Sequence, residues 1–261
     1  MAAETLDLLR RGDAAFALPK LGGMARPNGV VVVSERYWAF AATDGTVREG
    51  RMPKPPEWSN RLPLARGLVR LFASLSPLFR RTGIARPRER WLLLAAVLLP
   101  FGFVLLPGIW STVAGIAVTV GLLFVLLRGR ALNLHGAEHR AIAAAEERRL
   151  AATWEGSAKP SRISPRCGTN FAAIAMPVTF LADRLWPLAP ALWTPVVVLT
   201  LSLALSMELW RMVQKSSHRA WQLFLLPGLA LQRATTREPR LDETRLALAA
   251  VASVVRRELS A

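Results

Sequence analysis

The chain has 261 residues, of which 52% are hydrophobic, and carries a formal net charge of +16. A soluble globule rarely combines the two, so apolar and basic residues must be segregated along the chain. No zinc-finger, RNP-like or helix-turn-helix pattern accompanies the charge, which argues against a nucleic-acid partner. The single cysteine, Cys167, excludes an internal disulfide framework and suits a reducing compartment.

The N-terminus, "MAAETLDLLRRGD", has acids early and no continuous apolar core, so no cleavable signal is expected. Within residues 1–60, "GVVVVSERYWAFAATDGTVREGRM" has β-branched and aromatic runs around Asp44-Gly45. That pair suits a two-residue turn, and a small cytoplasmic β-hairpin element is expected near Gly29 to Met52. In the basic segment 61–90, Leu64, Leu68, Leu71, Phe72, Leu75 and Phe79 recur at helical spacing while Arg61, Arg66 and Arg70 lie off that stripe. The pattern fits an amphipathic helix lying on a bilayer with its arginines toward anionic lipid headgroups, or one packed on the protein itself.

From Trp91 to Leu127 there is no charged residue, and Arg128 and Arg130 follow at once. One straight helix of that length would reach roughly 55 Å, whereas a bilayer core is about 30 Å thick. Two crossings are therefore expected within 91–127, turning at Pro107-Gly108, with a kink at Pro100. Residues 171–209 repeat the pattern, with Asp183 and Arg184 as the only charges between Phe171 and Met207. This reads as a second hairpin whose first arm is short enough to be re-entrant. The expected class is mainly α: a polytopic membrane protein of about four transmembrane helices in two hairpins, with the lipid bilayer as its partner. Arg61, Arg66, Arg70, Arg80, Arg81, Arg86, Arg88 and Arg90 precede the first pass, and 128–170 holds eight Lys/Arg against four Glu. By the positive-inside bias both termini and that segment face the cytoplasm. Residues 210–261 form a cytoplasmic tail ending in an amphipathic helix, with acids in its first turn and Arg256 and Arg257 in its last.

Segment 128–170 carries the chemistry. In "LNLHGAEHRAIAAAEE", His135 and His139 are four apart and share a helical face, with Glu138 beside them. The order His-x-x-Glu-His is that of the inverted zinc peptidases, in which the histidines bind metal and the glutamate is the general base. The alternative is a polar helix end that merely leaves the bilayer. Cys167, in "SPRCGTNF", precedes the next expected helix, where a thiolate is favoured, or is a small buried capping thiol. Glu208, just after Met207, is a candidate fourth ligand or an interfacial carboxylate paired with Arg211. Glu146 lies about two turns from His139, roughly 10 Å along the axis, too far to ligate with it but able to orient Arg166. Gly136 costs such a helix up to about 1 kcal/mol, so something beyond propensity, metal binding for instance, must hold the turn.

Four ordered motifs, "LHGAEHRAI" with Glu146, "PRCGTNF", "MELWR" and "PGLALQRATTREP", resemble the YqhQ family of bacterial membrane proteins. "LGGMARPNG" and "ARGLVRLFASL" resemble it more faintly. The family is a domain of unknown function, sometimes described as a predicted metal-dependent enzyme, so the resemblance implies a topology in a bacterial inner membrane and a candidate site rather than a reaction. This chain departs from the family where Ser164 stands in place of a histidine, and Met24 and Asn28 in place of a glutamine and a glutamate.

The reading is thus a divalent-metal site, zinc by preference, on His135, His139, Cys167 and Glu208, with Glu138 as general base of a hydrolase. A non-catalytic membrane scaffold that uses the same cluster is the alternative, and a transporter is third because the apolar runs hold too few polar residues to mark a path.

Overall fold

The computed structural model describes residues 2–79, 83–85, 87–102, 106, 109–126, 129–188, 191, 193–216 and 218–260. The chain divides into two compact units, each assembled from separate stretches.

The first unit comprises 1–54, 127–167 and 229–261. Helix α1 (Ala2–Ala14) leads into strands β1 (Gly22–Arg26), β2 (Gly29–Val33), β3 (Tyr37–Ala42) and β4 (Val47–Arg51), which form one antiparallel sheet in the order β1-β2-β3-β4. The element is therefore a four-stranded meander rather than a hairpin. It starts earlier than expected, because the glycine-rich "GGMAR" pairs with the valines of β2, Gly22 opposite Val33 and Arg26 opposite Gly29. The turn at Asp44-Gly45 exists but is longer than two residues. Ala42 N–H donates to Thr46 O at 2.8 Å, the Asp44 carboxylate accepts from Thr46 N–H at 2.9 Å, and Gly45 takes the left-handed φ of 86° that favours glycine.

Helices α6 (Ala131–Glu146), α7 (Leu150–Glu155) and α12 (Leu241–Leu259) belong to this unit, as does most of α11 (Leu226–Thr235). Strand alternation puts Val30, Val32, Ala39 and Ala41 in one core with Leu134, Ala137 and Ala141 of α6 and Leu248, Val251 and Val255 of α12. On the opposite alternation Phe40 is also fully buried, under the Arg26 and Arg48 guanidinium groups at 5.9 and 5.3 Å from its ring centre. The alanines of α6 leave it thin enough to be enclosed on most of its circumference: Gly136 to Ile142 are all buried. The "HGAEH" helix is thus a core helix, not a polar end leaving a bilayer. Gly136 is explained without a metal. A side chain there would collide with the Arg237 carbonyl, so glycine admits the segment after α11 against α6. The acids Asp242 and Glu243 and the bases Arg256 and Arg257 lie at the two ends of α12 as expected.

The second unit comprises 55–126 and 168–228. Its helices are α2 (Glu57–Arg61), α3 (Ala65–Phe79), α4 (Pro87–Gly102), α5 (Ile109–Leu126), α8 (Gly168–Arg184), α9 (Thr194–Lys215) and α10 (Arg219–Gln222), with a 3-10 turn at Leu223–Leu225. Gly67 of α3 lies against Met207 of α9, Gly228 against Asn170 of α8, and the Phe171 and Trp210 rings meet edge to face at 6.3 Å.

Four membrane-crossing helices are not what the structure holds. Among the described residues one helix, α9, is long and apolar enough to cross a membrane, by length and composition alone. Helix α4 has 16 residues and spends its first turn on Arg88, Glu89 and Arg90; α8 has 17 with Pro177 inside and ends at Asp183-Arg184. Both fall short of the roughly 20 apolar residues that a bilayer requires. Helix α5 has 18 residues, but its side chains from Leu122 onward lie outside the described residues. The expected turn at Pro107-Gly108, the residues Arg80, Arg81, Arg86 and Arg128, and the side chains of Arg88 and Pro100 lie outside them too.

Candidate metal centre

Three of the expected ligands converge in the first unit. One ligand atom each from His135, His139 and Cys167 lies within 4.8 Å of the other two. Helix α6 supplies both imidazoles from one face, with ring centres 4.5 Å apart, and the 160–167 segment delivers the thiol. His135 Nε2 stands 3.3 Å from Cys167 Sγ, and Cys167 is in no disulfide.

The hydrogen bonds fix how the rings are presented. His135 Nδ1 is 2.9 Å from Thr235 O, and His139 Nδ1 is 2.7 Å from Arg162 O. A carbonyl oxygen can only accept, so each Nδ1 carries a proton and each ring turns its Nε2 toward the cluster. Orientation of a ligating histidine by a backbone carbonyl on its other nitrogen is the usual arrangement at metal sites. His139 is 2% exposed, and its Nε2 is buried with no hydrogen-bond partner among the described residues. An orphaned ring nitrogen of this kind is costly unless a partner fills its direction. The donor set fits a divalent ion. Around a four-coordinate zinc the nitrogens at about 2.1 Å and the sulfur at about 2.3 Å sit roughly 3.4–3.6 Å apart, so closing a separation of 4.8 Å takes a shift of roughly 1.2–1.4 Å.

Glu138 is brought close but faces elsewhere. Its carboxylate accepts the Ala25 N–H of β1 and lies against Gly23, where a Cβ would stand 2.7 Å from Oε1. Burial pushes its pKa up to about 7, partly opposed by the nearby His135 and by the Ala25 amide. Glu208 is not in the cluster. It lies on α9 in the other unit, bound to the Arg66 guanidinium, with Arg66 Nε at 2.7 Å and Leu64 N–H at 3.3 Å. Arg211, its expected partner, is farther away at 4.0 Å. Glu146 pairs with Arg166.

Several supporting residues have no signal in the ligand pattern. Arg162, whose carbonyl holds His139, donates from its guanidinium to Thr236 O at 2.9 Å and Oγ1 at 2.6 Å. Arg140, buried beside His139, donates to Pro160 O at 3.1 Å and Glu238 Oε1 at 2.6 Å. The density of polar residues in "QRATTREP" was the available clue: that segment and the 160–167 segment brace each other.

Residues 96–257 match the family described as "Protein of unknown function (DUF1385)". The chain belongs to this family. It is 31% identical over 134 residues to the uncharacterized protein YqhQ of Bacillus subtilis (strain 168), a stretch covering 49% of this chain and 42% of that relative's own length. No solved structure matches it. The match to the family takes in α6, Cys167 and α11, so all three candidate ligands and the segment that braces them lie within the family region. Met24 is a residue of β1, Asn28 stands in the β1–β2 turn, and Ser164 is held through its main chain.

Proposed function

We propose that this protein is a membrane-associated metal protein whose His135–His139–Cys167 tripod holds a divalent ion, zinc by the donor set, and leaves a coordination position for hydrolytic chemistry. The observation that carries the reading is the orphaned His139 Nε2, buried and held by Arg162 O to face two other donors. When bound, the ion supplies Lewis-acid polarisation. The chain's own residues do the rest: Thr235 and Arg162 fix the imidazole rings, while the Glu138 carboxylate, which accepts the Ala25 N–H, anchors α6 to β1 beside them. Unit 2 supports the membrane part of the proposal. Helix α9 has the required length and apolarity, and Trp91, Ile109, Met176 and Leu185 all expose large apolar surfaces. Exposed Arg61 and Arg70, beside exposed Phe72, suit anionic headgroups.

Metal analysis of protein purified without a metal-affinity tag tests the site. One divalent ion per chain is expected, and it should be lost in His139→Ala; wild-type protein that takes up no metal on reconstitution defeats the reading. A second reading, a structural clasp in a scaffold, is favoured by the way the cluster ties α6 to the 160–167 segment. Azide added to the cobalt-loaded protein separates the two. An altered visible spectrum marks an open position, and an unchanged one marks a closed clasp.

A further inference from the structure

The ligand set needs Cys167 on a loop to meet two histidines on a helix, and a loop is a poor support for a ligand unless its main chain is held. Gln232 of α11 does that. It is fully buried, and its side-chain amide meets the main chain of one residue twice: Ser164 N–H donates to Gln232 Oε1 at 2.9 Å, and Gln232 Nε2 donates to Ser164 O at 2.8 Å. The same Ser164 carbonyl accepts the Cys167 N–H at 3.4 Å, closing the turn that carries the thiol. From Gln232 to Sγ the chain of contacts thus passes through one peptide unit and one turn. Three residues further along α11, Thr235 O holds His135.

Resting on the metal reading above, we propose that Gln232 is a positioning residue of the metal site, which sets Cys167 within bonding distance of an ion already held by His135 and His139. It touches no ion itself. It grips Ser164 by its main chain, so the side chain at 164 can vary. Without Gln232 the two imidazoles still converge, because their carbonyl partners belong to Thr235 and Arg162, but the thiol is released.

Cobalt(II) loading of the full-length protein reads this directly, because thiolate ligation adds a near-ultraviolet sulfur-to-cobalt charge-transfer band that imidazole ligation does not. In Gln232→Leu, which removes both hydrogen bonds, that band should collapse while visible cobalt transitions persist. Cobalt affinity should fall about 10–100-fold, the size usual for loss of an outer partner, and bound cobalt should no longer protect Cys167 from alkylation. Gln232→Glu, which keeps the shape and the acceptor but cannot donate as a carboxylate, should show the same losses in milder form. A folded Gln232→Leu protein with wild-type band, affinity and protection overturns the proposal while leaving the metal reading standing. A wild-type protein that shows no cobalt band removes thiolate ligation, and the proposal with it. Should neither variant fold, hydrogen exchange at the Ser164 amide of the unsubstituted protein decides: protection is expected, and free exchange overturns the grip.

Discussion

Helices α6 and α9 invert what their sequences suggest about inside and outside. Helix α6 buries Glu138, His139 and Arg140. Helix α9 leaves Val196, Leu201, Leu205 and Met212 exposed and keeps the small residues Ser202, Ala204 and Ser206 inside. The serines are satisfied along their own helix, by Val198 O and Ser202 O at 2.6 Å each. At these positions burial follows available partners rather than hydropathy. A polar side chain goes inside where a hydrogen-bonding partner awaits it, and an apolar one stays outside where lipid is the proposed neighbour.

The sharpest way to test that inversion is to cut one leucine from each helix. Leu134→Ala on α6, fully buried, should cost about 2–5 kcal/mol in chemical denaturation. Leu205→Ala on α9, 42% exposed, should cost less than about 1 kcal/mol. Equal costs would mean that α9 has a protein neighbour. The next effect is a reversal of sign. In an exposed helix Gly136→Ala would stabilise by up to about 1 kcal/mol, but here the added methyl meets the Arg237 carbonyl and should destabilise by about 1–3 kcal/mol. A stabilised variant would show that the segment after α11 does not lie on α6.

These two positions also mark what could be read from sequence. The helical span around "HGAEH", the ends of α12, the turn at Asp44-Gly45 and the meeting of His135, His139 and Cys167 were all legible, because spacing and turn chemistry are local. The enclosure of α6 was not, because alanine and glycine carry little hydropathy signal and a thin helix shows its role only in what packs on it. Strand β1 was hidden by Gly22-Gly23, which are poor strand formers, yet Gly23 is what lets the Glu138 carboxylate rest on β1. Glu208 looked like a ligand because its partner Arg66 is 142 positions away, beyond any periodicity argument.

That pair gives a smaller effect. Glu208→Gln should cost unit 2 about 1–3 kcal/mol by weakening a partly buried charged contact, and should leave metal content unchanged, unlike His139→Ala. Loss of metal in Glu208→Gln would return that carboxylate to the ligand set. The smallest effect lies at the β4–α12 contact. Burial alone would raise the Glu49 pKa, but hydrogen bonds from Ser253, Arg257 and Arg256 overcome it and hold the group below its ordinary 4.5. A lowered folded value means that its contribution is present above about pH 4.5 and is lost as pH falls through the folded value. Glu49→Gln should cost about 0.5–1 kcal/mol at neutral pH, and the difference from wild type should vanish in acid. A difference that persists in acid would assign the effect to packing.

Two imidazoles and one thiolate of unit 1, with His139 buried and His135 and Cys167 half-buried, are proposed to meet on one ion. X-ray absorption on the zinc-loaded protein tests it most directly. Stoichiometric zinc is expected, with two nitrogens of imidazole type at about 2.0–2.1 Å and one sulfur at about 2.3 Å, the sulfur disappearing in Cys167→Ser. Zinc bound without a sulfur neighbour, or without imidazole scattering, would contradict it.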